Sequence, residues 1–279
     1  MVSVKVASVA GALAFFATVA QVTVANAADM PGLPPVYPPP IEEYVASGWY
    51  LRGDIGMTNQ SVKKMHHVSE DFFSETFNYR GKSFDSSPLF GIGIGYQFNN
   101  WLRFDVTAEY RGRANLHAVA IGDQGSVNNF QGSKSEFTTL ANAYLDLGTW
   151  WHLTPFVGAG IGGSYNRIHD FFDTCGALAC SGQLTGVSDG TGSKFSFAWA
   201  LHAGLAYQVT PGLTIELAYR YINLGDAQSG NFHNIDPALS LHPGPFEFKG
   251  LSSHDLKLGV RWMLEPVMQT PPPPLMRRG

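Results

Sequence analysis

The stretch LRFDVTAEYR at 102–111 decides the fold. Its odd positions are Arg103, Asp105, Thr107, Glu109 and Arg111; its even positions are Leu102, Phe104, Val106, Ala108 and Tyr110. Successive side chains of a strand point to opposite faces, so this segment shows a charged face to one environment and an apolar face to another. An ordinary sheet does this once, with its charges in water. Here the alternation returns about eight times along the chain, and glycine replaces the charges in some strands, as at Gly91, Gly93, Gly95 and Gly158, Gly160, Gly162. An apolar outside around a polar inside is the pattern of a transmembrane β-barrel.

Composition agrees. Of 279 residues 14% are charged and 13% aromatic, whereas roughly a quarter of a soluble domain is charged. Past the N-terminal stretch no run reaches the roughly 18 apolar residues a spanning helix needs. A closed barrel is the other backbone arrangement whose hydrogen bonds are satisfied in lipid. A net charge of −4 and the lack of a basic stripe argue against a nucleic-acid partner. At the start, Lys5, a largely apolar run from Val6 to Val24, and Ala25-Asn26-Ala27 read as a secretory signal peptide, 1–27. Proline-rich segments follow it at 28–47 and close the chain at 265–279. Proline has no amide donor for a ladder, so both are expected to be periplasmic linkers flanking a barrel at 48–264.

The spacing predicts strands at about 48–58, 89–98, 102–111, 137–148, 155–165, 194–208, 213–221 and 254–263. Connections after the second, fourth and sixth are a few residues; the others are expected to run about 20 to 30. Outer-membrane barrels have short periplasmic turns and long surface loops, which puts both termini in the periplasm. Trp49, Trp101, Trp150, Trp151 and Trp262 fall at the short-turn end and Phe90, Tyr110, Phe137, Tyr165, Phe195, Tyr219 and Tyr221 at the other, as two interfacial girdles.

Four segments carry a family resemblance: GWYLRGDIG at 48–56, FGIGIGYQFNNWLRFDVTAEYRG at 90–112, LTPFVGAGIGGSYN at 153–166 and LAYQVTPGLTIELAYRYINLG at 205–225. They resemble the small outer-membrane barrels of alphaproteobacteria, the rhizobial and Brucella-type surface antigens related to opacity-protein and OmpA-type barrels. The resemblance implies an all-β, eight-stranded antiparallel transmembrane barrel with long extracellular loops, in the outer membrane of a Gram-negative bacterium. Many such chains stop at the aromatic residue ending the last strand; here Trp262 is followed by a tail.

The expected lumen set is charge-balanced. Arg52, Arg103, Arg111, Arg220, Lys257 and Arg261 face Asp54, Asp105, Glu109, Asp146, Glu216 and Asp255. Side chains fill an eight-stranded barrel, and buried charges must be paired, so these residues predict an interlocking ion-pair plug. A selective pore would instead favour a ring of one sign. Cys175 and Cys180, the chain's two cysteines, lie in the third long connection. In an oxidising compartment they read as a local disulfide, with free thiols the alternative. His169 and Asp170 nearby are too few for a zinc site. His66-His67 reads as part of a solvated loop, and His202 as a paired lumen residue. Ser252-Ser253-His254-Asp255 contains hydrolase residue types, but adjacent strand residues face opposite ways, so His254 and Asp255 cannot meet. No catalytic, cofactor or metal site is read.

The function expected is a structural or surface-interaction barrel without catalysis. A small-solute channel is the alternative, and a lipid-modifying enzyme a third. Expected partners are outer-membrane lipid and lipopolysaccharide, the barrel-assembly machinery during insertion, and a surface ligand or host partner at the long connections. The barrel is expected to be a monomer.

Overall fold

The computed structural model describes residues 47–70, 76–177, 182–236 and 243–264. The expected signal peptide, nearly all of the expected proline-rich leader and the expected tail lie outside these residues. Within them run ten strands: β1 (Gly48–His67), β2 (Phe77–Phe84), β3 (Ser87–Gln97), β4 (Leu102–Gly122), β5 (Val127–Asp146), β6 (Leu153–Cys175), β7 (Leu184–Ser188), β8 (Gly192–Thr210), β9 (Leu213–Asn234) and β10 (Gly244–Met263).

Eight of them form a closed antiparallel ring: β1, β3, β4, β5, β6, β8, β9 and β10, with β10 paired back onto β1 from Tyr50↔Met263 to His67↔Phe246. Closure leaves the barrel wall no free edge within lipid. The two remaining strands extend the ring upward. β2 continues the line of β3 and pairs with β4; β7 continues the line of β8 and pairs with β6 and β9.

Register follows the alternation. In β4, Arg103, Asp105, Thr107, Glu109 and Arg111 are buried in the lumen, while Phe104, Val106 and Tyr110 are exposed outside. Phe90, Tyr110, Phe137, Tyr165 and Phe195 are successive ladder partners across five strands, so they form one aromatic row around the exterior. Trp199 and Tyr221, with ring centroids 5.5 Å apart, continue it. The nine steps from Trp101 to Tyr110, at about 3.3 Å each and tilted about 40°, give an apolar band roughly 23 Å tall.

The far end differs from the sequence-based expectation. Instead of loops of 20 to 30 residues, the chain continues as paired strand for several rows beyond the aromatic row. The connections there shrink to 68–76, 123–126, 176–183 and 235–243. The physical reason is an inversion of polarity. Beyond the row the exterior becomes polar, with Asn59, Ser61, Lys63, Asn115 and His117 exposed, and the interior becomes apolar. A wall in water on its outside needs an apolar lumen rather than a charged one. In this extension no ladder pair joins β1 to β2 among the described residues. Lys82 Nζ donates to the Lys63 carbonyl across the gap at 3.0 Å.

Candidate functional site

The lumen is filled at two levels. The lower level is ionic and contains all twelve charges expected inside. Arg52 donates to Asp54 Oδ1 at 2.8 Å, to Asp105 Oδ2 at 2.7 Å and to the Tyr144 hydroxyl at 3.1 Å. Arg103 lies 3.1 Å from both Asp146 and Glu216, and Arg261 reaches Glu216 at 3.3 Å. Higher up, Arg220 engages Glu109 at 2.6 Å and Asp255 at 2.8 Å, while Arg111 meets Asp255 at 2.8 Å. Lys257 ties the two groups together, 2.6 Å from Glu109 and 3.4 Å from Asp54. Each carboxylate therefore faces at least one cation, the condition for keeping charge out of water.

Small residues on the inner wall make room for this network. A Cβ on Gly95 would run into the Tyr50 ring, and one on Gly158 into the Tyr144 ring. Those tyrosines in turn serve the ions: Tyr50 donates to Asp105 at 3.2 Å, and the Arg103 guanidinium stacks over Tyr144 at 4.3 Å. His202 is in the lumen, 3.2 Å from Asn142, which donates to Asp105 at 2.8 Å.

Sequence reasoning missed the upper rim of the network. Lys134 and Glu136 are fully buried and ion-paired to each other. Gln60 accepts from Lys134 at 2.7 Å and donates to Glu136 at 3.1 Å, and Arg111 approaches Glu136 at 3.4 Å. The signal was present in KSEF at 134–137, where Lys134 and Glu136 alternate with the outward Phe137.

Above the ions lies the second level, an aromatic layer. Phe130, Phe171, Phe232, Phe246 and Phe248 come from β5, β6, β9 and β10. Their ring centroids lie 5.0 to 6.2 Å apart, for example Phe232–Phe246 at 5.0 Å, Phe130–Phe171 at 5.6 Å and Phe130–Phe232 at 6.2 Å. Met65, Phe84 and Leu116 close the cluster from β1, β2 and β4.

The other sequence candidates fall in different places. His66 and His67 end β1 rather than lie in a solvated loop. His67 is buried, 2.9 Å from the Gly244 carbonyl and edge-on to Phe246 at 5.0 Å, because β1 continues far enough to turn alternate residues inward. Ser253 and Asp255 share the inner face at 2.5 Å, whereas His254 sits outside against the Tyr219 hydroxyl at 2.6 Å. No three-residue hydrolytic array forms there. His169 contacts Ser135 at 2.9 Å and Thr191 at 3.1 Å, and Asp170 contacts Arg113 at 3.3 Å. Cys175, at the end of β6, is disulfide-bonded; Cys180 lies outside the described residues.

Comparison with known proteins gives a consistent picture. A family model described as an outer membrane protein beta-barrel domain matches residues 12–263. The chain is 34% identical over 241 residues to an uncharacterised protein of Brucella abortus strain 2308, covering 78% of this chain and 81% of that one. It is 27% identical over 225 residues to a Rickettsia prowazekii protein named as a candidate adhesin, covering 79% and 89%. Among solved structures it is similar to Neisserial surface protein A, with TM-score 0.45 and 18% identity over 78% of this chain and 99% of that one.

Proposed function

The chain belongs to the outer-membrane β-barrel family, and from that premise we propose that it is a closed, non-catalytic barrel whose extension beyond the membrane makes surface contacts. It is thereby an integral protein of a Gram-negative outer membrane. The observation that carries the reading is the double filling of the lumen, ions below and aromatic rings above. A solute channel needs an open axis, and here side chains occupy the axis at both levels. The interior serves the wall, which leaves the outside of the extension for function.

The orientation belongs to this proposal. The short turns and their tryptophans face the periplasm, with both termini, and the polar extension faces the cell exterior. The gap between β1 and β2 is the most distinctive feature of that exterior. Two strand edges face each other there without a ladder, flanked by Lys63, Lys64, Arg80 and Lys82. Strand edges and cations both suit contact with another molecule. The naming of the Rickettsia relative as a candidate adhesin is consistent with this. Lipid, the assembly machinery and a surface ligand are the partners proposed, with the barrel acting as a monomer.

The test is a shortened barrel in which each connection at the far end is replaced by a tight turn just beyond the aromatic row. Displayed on bacteria, the shortened protein is expected to insert normally while losing the adherence to epithelial monolayers that the full protein confers. Equal adherence by the two forms, or none by either, would overturn the proposal.

A further inference from the structure

The exterior changes chemistry immediately beyond Tyr110, Phe137 and Tyr165. One step up, the same outer face carries Arg113, Ser135 and Arg167, where Arg167 is the ladder partner of Ser135. Next come His169 on β6 and Thr191 just before β8. Two register shifts bracket this spot. On β4, Gly112 and Arg113 oppose Ser135 alone; on β6, Asp170 and Phe171 oppose Gly132 alone. Asp170 takes a left-handed backbone, φ 49°, to accomplish the second. Bulges re-aim side chains, and two of them on alternate strands enclose Ser135 between them.

A cavity of about 430 Å³ opens on the outer wall here. Its lower side is Tyr110, Phe137 and Tyr165; its upper side is Arg113, Arg167 and His169. Ser135 and His169 point outward yet are only 6% and 7% exposed, so the polar groups are set into the wall rather than spread on it. Ser135 Oγ lies 2.9 Å from His169 Nε2, and His169 Nδ1 lies 3.1 Å from Thr191 Oγ1. Burial, with the guanidinium groups of Arg113 and Arg167 nearby, holds His169 below its ordinary pKa, so the ring is neutral at neutral pH. Its orienting partner is a hydroxyl, not a carboxylate, which suits an anchored donor better than a catalytic base.

The charges are poised for an anion. Arg113 pairs with Asp170 at 3.3 Å, but both side chains are exposed, and such pairs hold weakly. Arg167 has no ion-pair partner among the described residues. Glu136 borders the cavity, but its carboxylate is committed to Lys134 and Gln60 in the lumen. The backbones of β4 and β6 are two ladder spacings apart, about 10 Å, within which two long arginines can converge on one group. Guanidinium forks match phosphate oxygens in geometry and charge.

We propose that this cavity binds the phosphate-bearing headgroup of a membrane lipid. Arg113 and Arg167 hold the phosphate, and the acyl chain lies down across Tyr110, Phe137 and Tyr165. The apolar floor selects a lipid over a free anion, because it is useful only to a ligand that carries a tail. This inference rests on the aromatic row being the membrane interface.

The experiment titrates the refolded mature chain, held in dodecyl maltoside micelles, with dodecyl phosphate and separately with inorganic phosphate. The guanidinium Nε–H resonances of Arg113 and Arg167 and the His169 ring report occupancy. Saturable binding of one dodecyl phosphate is expected, at least tenfold tighter than inorganic phosphate. Arg113→Gln with Arg167→Gln should weaken it at least tenfold while heat-modifiability is retained; Arg167→Gln alone serves if the double variant does not fold. Lys249→Gln, on β10 and remote from the cavity, should change nothing. Equal binding of dodecyl phosphate by parent and arginine variants would overturn the site, and equal binding of inorganic phosphate would overturn the lipid assignment. Broadening of the Tyr110, Phe137 and Tyr165 rings by a spin-labelled detergent tests the interface separately. Broadened rings without binding sink this inference alone; rings left sharp sink the interface reading beneath it.

Discussion

Arg220 and Glu109 meet across the lumen in a two-pronged ion pair, Nη1 to Oε1 at 2.8 Å and Nη2 to Oε2 at 2.6 Å. They come from β9 and β4, which stand four places apart in the ring of eight and therefore on opposite walls. A fork of this kind fixes direction as well as distance. It sets the register of two strands that share no ladder. Arg103 and Glu216, at 3.1 Å, repeat the same strand pairing lower down, with the charges exchanged between the walls.

Removing one half of the fork leaves the other ion buried. Arg220→Met is expected to cost about 3–5 kcal/mol, because Glu109 and Asp255 each lose a cation while staying buried. Arg220→Met combined with Glu109→Leu should recover much of that loss, since Asp255 keeps Arg111 and Lys257 keeps Asp54. Urea unfolding in lipid vesicles, run as a double-mutant cycle, measures the coupling. Additive losses would show that the two residues act independently and would defeat the idea of a cross-lumen tie.

The ionic half of the barrel was legible in the sequence because lipid enforces alternation on the outside while pairing enforces charge on the inside. The upper half was not, and β4 shows why. Phe104, Val106 and Tyr110 occupy even positions and face out; Leu116, Ala118 and Ala120 also occupy even positions, but they are buried inside. The bulge at Gly112-Arg113 shifts the phase by one residue. A single alternation thus runs on unbroken in sequence while its apolar members change sides. Polar outward residues such as Asn115 and His117 then look like loop composition. The same phase shift at Asp170 hid Phe171 among the expected loop residues, and with it the aromatic layer. The outer-wall cavity was invisible for a related reason: its parts come from three strands and the residue before a fourth, and depend on both bulges.

The two-level filling predicts an electrically silent protein. Planar-bilayer recording of the refolded chain should show no sustained conductance steps. Phe171→Ala with Phe246→Ala opens the upper layer only, and the ion network beneath should still block current. Steady steps from the parent protein would move the channel reading from alternative to first place.

The disulfide should matter locally and not for insertion. Closing a short loop removes little unfolded-state entropy, and the closed ladder holds the barrel regardless. Cys175→Ser is therefore expected to insert and to keep its heat-modifiable gel shift. Protease should cut faster between Asn166 and Ser193. Failure to insert would assign Cys175 a role in assembly.

Asp173 gives the extension a pH dependence with a definite sign. It lies on β6 above the aromatic row, and burial raises its carboxyl from 3.8 to about 6. A carboxyl that is harder to ionise folded than unfolded makes the folded form bind its proton more tightly. Its stabilising contribution is thus complete below about pH 4 and is lost as pH rises through about 6. The ladder contacts of β6 with β7, which run through Asp173↔Gly186, should accordingly loosen between these values. Hydrogen exchange of the β6–β7 amides, measured at pH 4.5 and 7 and corrected for intrinsic rates, should show less protection at the higher pH. Asp173→Asn cannot ionise and should abolish the difference while leaving amides near Arg220 unchanged. Protection that rises with pH in the parent chain, or a pH effect that survives in Asp173→Asn, would remove Asp173 as its source.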